Sequence, residues 1–218
     1  MLDRAEAAAL VDLGVEREYA ARASLFHQGE PTRHVLLLLD GWVKVCSRSR
    51  GGEEALLAIR GPGDIVGELS AVDGRPRSAT VTALVPVRVR VIDGDRFRDH
   101  LLRRPKVMLA LLAHVAGNLR QSDLERLKYV STPSSGRVAR LLLDLAMRHG
   151  RQTPDGVLID LPLTQRELAT AAATSREAVA RTLRLLRDRQ LLRTSRRRIV
   201  LVRPEVLRSL SGSVPDDT

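Results

Sequence analysis

The stretch GELSAVDGRPRSAT, residues 67–80, concentrates side chains that can bind a polar ligand. The carboxylate of Glu68 accepts hydrogen bonds, and the planar guanidinium of Arg77 can donate two parallel hydrogen bonds to an anion. The hydroxyl of Ser78 offers a further donor, and Gly67 permits close approach of the backbone. We therefore predict a loop that binds a molecule carrying both a negative charge and hydroxyl groups.

A second set of candidate residues lies in LTQRELATAAATSREAVARTLRLLRDRQLL, residues 163–192. Thr164 and Glu167 fit the capping box, in which a hydroxyl and a carboxylate satisfy backbone amides at the start of a helix. Thr174 and Glu177 fit the same pattern. Two short helices in close succession are typical of a helix-turn-helix motif.

The second of these helices has an outward face that suits a DNA groove. Its outward residues by helical periodicity are Arg176, Glu177, Ala180, Arg181 and Arg184. Arginine donates a bidentate pair to guanine and glutamate accepts from cytosine, so Arg176, Glu177 and Arg181 are candidate base readers. Thr164 and Ser175 lie at helix starts, where outward amides suit phosphates. The alternative is a charged face that contacts only solvent.

Positive charge is concentrated in the same half of the chain. The 218 residues include 36 Lys and Arg against 26 Asp and Glu, a net charge of +10. A genome biased toward arginine could account for such an excess. Residues 137–218, however, contain 16 basic and 9 acidic residues and so carry +7 of that charge. This concentration indicates a polyanionic partner. The segment SRRRIVLVRP, residues 195–204, predicts a β-hairpin wing in which Arg197 reaches backbone phosphates.

Several functions are disfavoured by what the sequence lacks. Cys46 is the only cysteine, so one chain cannot form a disulfide, a cysteine zinc site or an iron–sulfur cluster. No run approaches the 18 apolar residues of a membrane span, and residues 1–20 do not read as a signal peptide. Without paired acids, a metal cluster or a nucleophile beside a base, we predict no enzyme, no metal site and no catalytic cofactor. We expect a cytoplasmic protein with no membrane contact.

Two kinds of element position the candidate residues. Residues 24–92 contain short apolar runs broken by turn residues, with alternation such as Val87, Val89 and Val91, which predicts an antiparallel barrel or jelly roll. From about residue 105 to 129 the pattern becomes helical. Its residues at alternating spacings of four and three are Met108, Leu112, Val115, Leu119, Ser122, Arg126 and Tyr129.

That spacing is the seam of a coiled coil, so we predict a homodimer; the alternative is a helix packed on its own domain. Ser122, followed by Asp123, is polar where an apolar residue is expected. It could fix the register of the two helices or contact a ligand at the dimer axis. STPSSG, residues 131–136, then breaks the pattern and predicts a hinge. We expect a further helix over 137–148 and a loop over 148–156.

Three motifs in order resemble the cyclic AMP receptor protein family of bacterial transcription regulators, also called CRP/FNR. FHQGEP and DGWVKV resemble its opening strands, GELSAVDGRPRSA its phosphate-binding cassette, and TSREAVAR the core of its recognition helix. The resemblance runs from Phe26 to the end of the wing. It implies an N-terminal cyclic-nucleotide-binding β-roll, a dimerisation helix and a C-terminal winged helix-turn-helix domain. The fold class is α+β.

The resemblance also gives the loop at 67–80 a ligand, a 3′,5′-cyclic nucleotide. It implies that Arg77 pairs with the cyclic phosphate, with help from the Ser78 hydroxyl and the amides of Ser78 and Ala79. Glu68 would accept from the ribose 2′-hydroxyl. The implied ligand-binding residues are Gly67, Glu68, Leu69, Arg77, Ser78, Ala79, Ser122 and Asp123, the last two reaching the base from both subunits. Cyclic AMP is the first candidate, and the acid at Asp123 leaves cyclic GMP and cyclic CMP open.

The implied domains are a β-roll over 1–102, a dimerisation helix over 103–131, a hinge over 132–136 and a DNA-binding domain over 137–218. The implied partners are a palindromic operator in double-stranded DNA, a second copy of the chain and RNA polymerase. A second hypothesis keeps the DNA-binding role but makes the nucleotide pocket vestigial. The protein would then act without a ligand or respond to another effector such as a cyclic dinucleotide.

Overall fold

The structure is a computed structural model, and it describes residues 10–49, 51–52, 54–129, 133–195 and 198–210. The chain divides into two compact units, Met1–Asp123 and Leu124–Thr218. The first is rich in antiparallel strands and the second contains a helix-turn-helix with a small sheet. The predicted α+β architecture is therefore confirmed.

Two four-stranded antiparallel sheets form the body of the first unit. Their orders are β1-β8-β3-β6 and β2-β7-β4-β5. The strands are β1 Val15–Tyr19, β2 Ser24–Phe26, β3 Val35–Asp40, β4 Val43–Arg48, β5 Glu54–Arg60, β6 Ile65–Val66, β7 Thr80–Ala83 and β8 Val87–Ile92. Strand β1 was not predicted; it lies at a sheet edge, where Val15 pairs with Val91 and Tyr19 with Val87.

Strand β3 buries both of its faces, as its run of apolar residues requires. Leu36 and Leu38 join one core cluster with residues from strands of both sheets, among them Phe26 and Val81. Val35 and Leu37 face the opposite way, into a second cluster that contains residues of the helices. The β-roll is thus fixed between a core shared by its two sheets and a core shared with its helices.

Downstream of β1, the helices of this part of the described chain are α1 Glu68–Asp73, α2 Gly94–Arg103 and α3 Pro105–Tyr129. Asp93 caps α2 by accepting hydrogen bonds from the amides of Asp95 and Arg96. Among the residues that the structure describes, none of the helices is long and apolar enough to cross a lipid bilayer.

Helix α3 uses one side for its own unit and leaves another side apolar and exposed. Val107 is buried in the second core cluster and Leu111 packs against it. The exposed apolar residues of the helix are Met108, Leu109, Leu112 and Leu119, with Leu109 at 64% and Leu119 at 63% of full exposure. Three of these four, Met108, Leu112 and Leu119, belong to the predicted seam, and the described residues leave them exposed.

Beyond the end of α3, the described residues of the second unit form four helices and one antiparallel sheet of order β11-β12-β10-β9. Its elements are α4 Ser134–His149, β9 Gly150–Thr153, β10 Gly156–Ile159, α5 Gln165–Ala171, α6 Arg176–Asp188, β11 Leu192–Ser195, β12 Arg198–Leu201 and α7 Pro204–Leu210. The predicted wing is present as β11 and β12, but it begins at Leu192 rather than at residue 195, and Pro204 already begins α7. The loop expected over 148–156 is wrong, because residues 150–159 form a hairpin, and α4 begins at Ser134 rather than at residue 137.

Of the two caps predicted for the helix-turn-helix, one is confirmed and the other is wrong. Thr164 forms a full capping box with Glu167 at the start of α5, as predicted. The cap of α6 is Ser175, whose hydroxyl accepts from the amide of Ala178, so the box predicted at Thr174 is wrong. The amide of Thr174 instead donates to the carbonyl of Ala169, 2.9 Å away, and closes the end of the preceding helix.

Candidate functional site

The predicted ligand loop is built around Gly67, which joins β6 to α1. Its φ of 85° lies in the left-handed region that favours glycine. A Cβ atom here would lie 2.5 Å from Nη1 of Arg77 and 3.0 Å from the carbonyl oxygen of His34. Only glycine therefore allows the backbone this close to the arginine.

Arg77 is 2% exposed and is held by three side-chain hydrogen bonds. Its Nε donates to Oγ1 of Thr32 at 3.0 Å, Nη1 to the carbonyl of Gly67 at 2.9 Å, and Nη2 to the carbonyl of His34 at 2.6 Å. The guanidinium carbon lies 4.1 Å from the centre of the Phe26 ring. An arginine has five N–H donors, so one donor on each terminal nitrogen has no partner among the described residues.

The backbone of Arg77 is fixed by the segment that follows β2. The Arg77 carbonyl accepts from the amide of Gly29 at 2.8 Å, and its amide donates to the carbonyl of Glu30 at 2.9 Å. Burial lowers the pKa of Arg77, while the nearby carboxylates of Glu30 and Glu68 oppose that shift. The cassette thus contains a buried cation with acidic groups close to it.

The remaining cassette residues differ in their accessibility. Glu68 begins α1 and is half-buried, whereas Leu69 in the same helix is exposed. Ser78 is exposed and Ala79 is buried. The structure therefore brings Gly67, Glu68 and Arg77 together, and Ser78 follows them at the surface. Ser122 and Asp123 lie in α3, but their side chains are outside the described residues, so their contact with a base stays a prediction.

Three residues around Arg77 were not predicted from the sequence as part of this site: Phe26, Thr32 and His34. The His34 ring meets Phe26 edge-on, with centroids 6.1 Å apart. Burial, then the charges of Arg77 and Arg17, lower the pKa of His34, and Glu30 opposes them. The FHQGEP motif was the one sequence feature that pointed to this region. No spacing rule predicts its contact with a loop about 45 residues away.

The predicted DNA-binding residues lie on one exposed face of α6 and at the helix starts. Val179, Leu183 and Leu186 are buried, as expected for the inward side. The exposed residues are Arg176, Glu177, Arg181 and Arg184, together with Thr164 and Ser175 at the two caps. A backbone amide hydrogen bond, then one with Ser175, hold the pKa of Glu177 below its usual range. Its carboxylate is therefore an ionised acceptor.

The wing carries charged pairs. Nε of Arg198 lies 2.8 Å from Oδ1 of Asp160, and Nη1 of Arg193 lies 3.3 Å from Oδ1 of Asp155. Both pairs are exposed, so they add little to stability. Arg197, the predicted phosphate contact, is outside the described residues. Within the described part of the chain, no group of three or more His, Cys, Asp or Glu residues could hold a metal ion.

The turn between α5 and α6 contains a residue in an unfavourable conformation, and this gives a stability prediction. Ala173 has φ of 45°, where an L-residue with a Cβ is disfavoured by about 1–2 kcal/mol. Glycine relieves this but loses about 0.5–1 kcal/mol in entropy. We therefore expect Ala173→Gly to stabilise the protein by about 0.5–1 kcal/mol in urea unfolding. Ala180→Gly, inside α6, is the control and should destabilise it. Destabilisation by Ala173→Gly would contradict this reading of the turn.

Comparison with protein families identifies two domains. Residues 16–104 match the model of the cyclic nucleotide-binding domain, and residues 136–210 match the Crp-like helix-turn-helix domain. The first range includes the cassette around Arg77 and the second includes α5, α6 and the wing. The two matches thus cover both candidate sites.

Individual relatives span most of the chain. The CRP-like cAMP-activated global transcriptional regulator of Mycobacterium tuberculosis (strain CDC 1551 / Oshkosh) is 36% identical over 160 residues, 73% of this chain and 71% of the relative. The cAMP-activated global transcriptional regulator CRP of Escherichia coli O6:H1 is 31% identical over 186 residues, 84% and 88% of the two chains.

Solved structures share the fold at lower identity. FixK2 from Bradyrhizobium japonicum superimposes with a TM-score of 0.81 at 23% identity, covering 93% of this chain and 99% of its own. The c-di-GMP responsive global regulator CLP of Xanthomonas campestris gives a TM-score of 0.76 at 21% identity, covering 90% and 98%. At these identities the likeness concerns the fold alone.

Proposed function

The chain belongs to the CRP/FNR family of cyclic-nucleotide-binding, DNA-binding transcription regulators, and we propose on this basis that it is a homodimer whose binding to DNA is controlled by a 3′,5′-cyclic nucleotide. The observation that carries the proposal is the anchored guanidinium of Arg77. Three hydrogen bonds fix its plane and leave one N–H on each terminal nitrogen.

Two remaining donors that point to the same side of the guanidinium would suit two oxygens of a phosphate. The exposed hydroxyl of Ser78 and the amides of Ser78 and Ala79 would complete the phosphate site. Glu68, electrostatically coupled to Arg77, would accept from the ribose 2′-hydroxyl. Gly67 supports both roles, because a larger residue would displace the guanidinium. Leu69 would line the cassette, and Ser122 and Asp123 would contact the base from both subunits.

Cyclic AMP is the first candidate effector, because the Mycobacterium tuberculosis and Escherichia coli relatives are both named as cAMP-activated. The carboxylate of Asp123 can accept from an exocyclic amine, which adenine, guanine and cytosine all carry. Calorimetric titration of the purified protein with cyclic AMP, cyclic GMP and cyclic CMP identifies the effector. The proposal requires that at least one of them binds.

A second candidate is a regulator whose nucleotide pocket is vestigial. The burial of Arg77 favours it, since three hydrogen bonds to Thr32, Gly67 and His34 give this residue a structural role without any ligand. Such a protein would act alone or respond to another effector, such as a cyclic dinucleotide; the structural neighbour CLP is described as c-di-GMP responsive. Failure of all three mononucleotides in the titration would favour this candidate.

The DNA-binding role is proposed for the exposed face of α6. Arg176, Glu177 and Arg181 would read base edges, while Thr164, Ser175 and Arg197 would contact phosphates. We place the protein in the cytoplasm with RNA polymerase as a further partner. We also propose the domain limits expected from the sequence, 1–102, 103–131, 132–136 and 137–218, with α4 beginning inside the predicted hinge at Ser134.

A two-fold dimer presents two recognition helices, so we expect a palindromic operator with half-site centres about 10–11 base pairs apart. The family resemblance suggests TGTGA paired with TCACA. Arg176→Ala should weaken operator binding by about 1–3 kcal/mol and relax the preference at one G·C pair. Selection of binding sites from random DNA measures this preference directly.

Arg197→Ala is the matched control, because loss of a phosphate contact should weaken all sequences alike and reduce the salt slope by about one unit. If Arg176→Ala selects the wild-type motif with the same preference at every position, the assignment of α6 as the recognition helix is wrong.

A further inference from the structure

Arg137 connects the beginning of α4 to the turn of the helix-turn-helix. Its Nε donates to the carbonyl of Ala172 at 2.9 Å, and its Nη2 donates to the carbonyl of Ala173 at 2.9 Å. Its backbone amide donates to the carbonyl of Pro133, 3.0 Å away, within the first turn of α4. A single side chain therefore joins the segment after the predicted hinge to residues 35 and 36 positions further along the chain.

The two acceptors are carbonyls that a helix cannot satisfy by itself. Ala172 is the C-terminal cap of α5, and the last carbonyls of a helix lack partners in the helix. Ala173 has the left-handed φ that ends the helix. A guanidinium supplies two donors with fixed separation, and its positive charge lies at the negative end of the α5 dipole. Arg137 thus stabilises the one conformation of this turn that the structure shows.

The turn matters because it sets the direction of α6. Only Ala172 to Ser175 separate α5 from α6, and α6 carries the exposed residues proposed to read DNA. Helix α4 packs against both α5 and α6, with Val138 and Leu142 fully buried. The hydrogen bonds of Arg137 are about 2.9 Å long, so a shift of the α4 start by about 1 Å would break them.

We propose that Arg137 is a positioning residue that holds the recognition helix at the angle it needs to bind its operator. The inference rests on the proposed function, because the working angle is defined by operator binding. It assigns to Arg137 no contact with DNA or nucleotide. The planar guanidinium of Arg137 is essential. Lysine keeps the charge but cannot donate to both carbonyls in the same planar geometry.

The test compares Arg137→Gln and Arg137→Lys with the control Arg148→Gln. Arg148 lies on the same helix and is exposed. Its substitution by glutamine removes the same charge far from the turn. Two quantities are measured for each full-length variant. One is hydrogen exchange of the Thr174 amide, which donates to Ala169 across the turn. The other is affinity for the selected operator relative to a random duplex.

For Arg137→Gln we expect exchange at Thr174 to rise about tenfold and operator affinity to fall about tenfold beyond the loss on random DNA, as for loss of a charged hydrogen bond. Arg137→Lys should keep wild-type affinity for random DNA but lose operator affinity. If Arg137→Gln destabilises the fold, the inference is judged only on the operator affinity of Arg137→Lys relative to its affinity for random DNA.

Equal effects of Arg137→Gln and Arg148→Gln on the operator-to-random ratio would overturn the inference and leave the proposed function intact. If wild type prefers no sequence, the proposed function fails. Faster exchange at Thr174 in Arg137→Lys would then still support the positioning role of Arg137, and unchanged exchange would overturn it.

Discussion

Arg77→Ala is expected to weaken binding of the cyclic nucleotide by about 1.5–3 kcal/mol, or roughly 10- to 150-fold. The phosphate would lose its main charge partner, because alanine has no side-chain donor to offer it. Calorimetric titration with cyclic AMP, cyclic GMP and cyclic CMP measures the loss. Unchanged affinity for the nucleotide that binds wild type would contradict the assignment of the cassette.

The same substitution should also destabilise the fold, and this must be separated from the loss of binding. Without the guanidinium, the carbonyls of Gly67 and His34 and the Thr32 hydroxyl lose a donor, which costs about 1–3 kcal/mol for each buried group left unsatisfied. Ser78→Ala is the matched variant, since Ser78 is exposed. We expect it to weaken binding by about 1 kcal/mol while the unfolding midpoint stays at the wild-type value.

Leu119→Glu is expected to convert the dimer to monomers. Leu119 lies in the middle of the predicted seam of α3 and is 63% exposed in the single chain. At a two-fold seam the substitution would bring two carboxylates into an apolar interface, where each unpaired charge costs several kcal/mol. Sedimentation equilibrium at micromolar concentration should then report the mass of one chain.

Leu185→Glu provides the control for adding a charge at an exposed leucine. Leu185 is in α6, outside the predicted seam, so this variant should sediment as the wild type does. If Leu119→Glu forms a dimer as strong as that of the wild type, the apolar side of α3 is not the dimer interface.

Capping residues and apolar spacing predicted the elements that are determined by residues close together in sequence. The capping box at Thr164 and the apolar spacing of Val179, Leu183 and Leu186 indicated both helices of the helix-turn-helix, and the structure has them. The cap of α6 was placed one residue early, because Thr174 and Ser175 are both good cap residues. The choice depends on whether Thr174 closes the preceding helix, which is a property of the turn rather than of either residue.

Contacts between residues far apart in the chain could not be predicted from such patterns. The partners of the Arg77 guanidinium at Thr32 and His34 lie 45 and 43 positions away in sequence, and only the closed β-roll brings them together. Strand β1 is exposed and charged, so its residues lack the alternation that identifies a strand; pairing with β8 makes it one. The rotation of α3, which buries Val107 and packs the partly buried Leu111 against the same core, depends on the break at Arg104.

Control of DNA binding by a cyclic nucleotide is measured through the affinity of the full-length protein for its selected operator. Fluorescence anisotropy is measured without nucleotide and with saturating cyclic AMP, cyclic GMP or cyclic CMP, for the wild type and Arg77→Ala. We expect one nucleotide to change the operator affinity of the wild type by at least about fivefold, within the usual range of allosteric coupling, and Arg77→Ala to lose this response. Operator affinity that is the same in all four conditions for the wild type would contradict it.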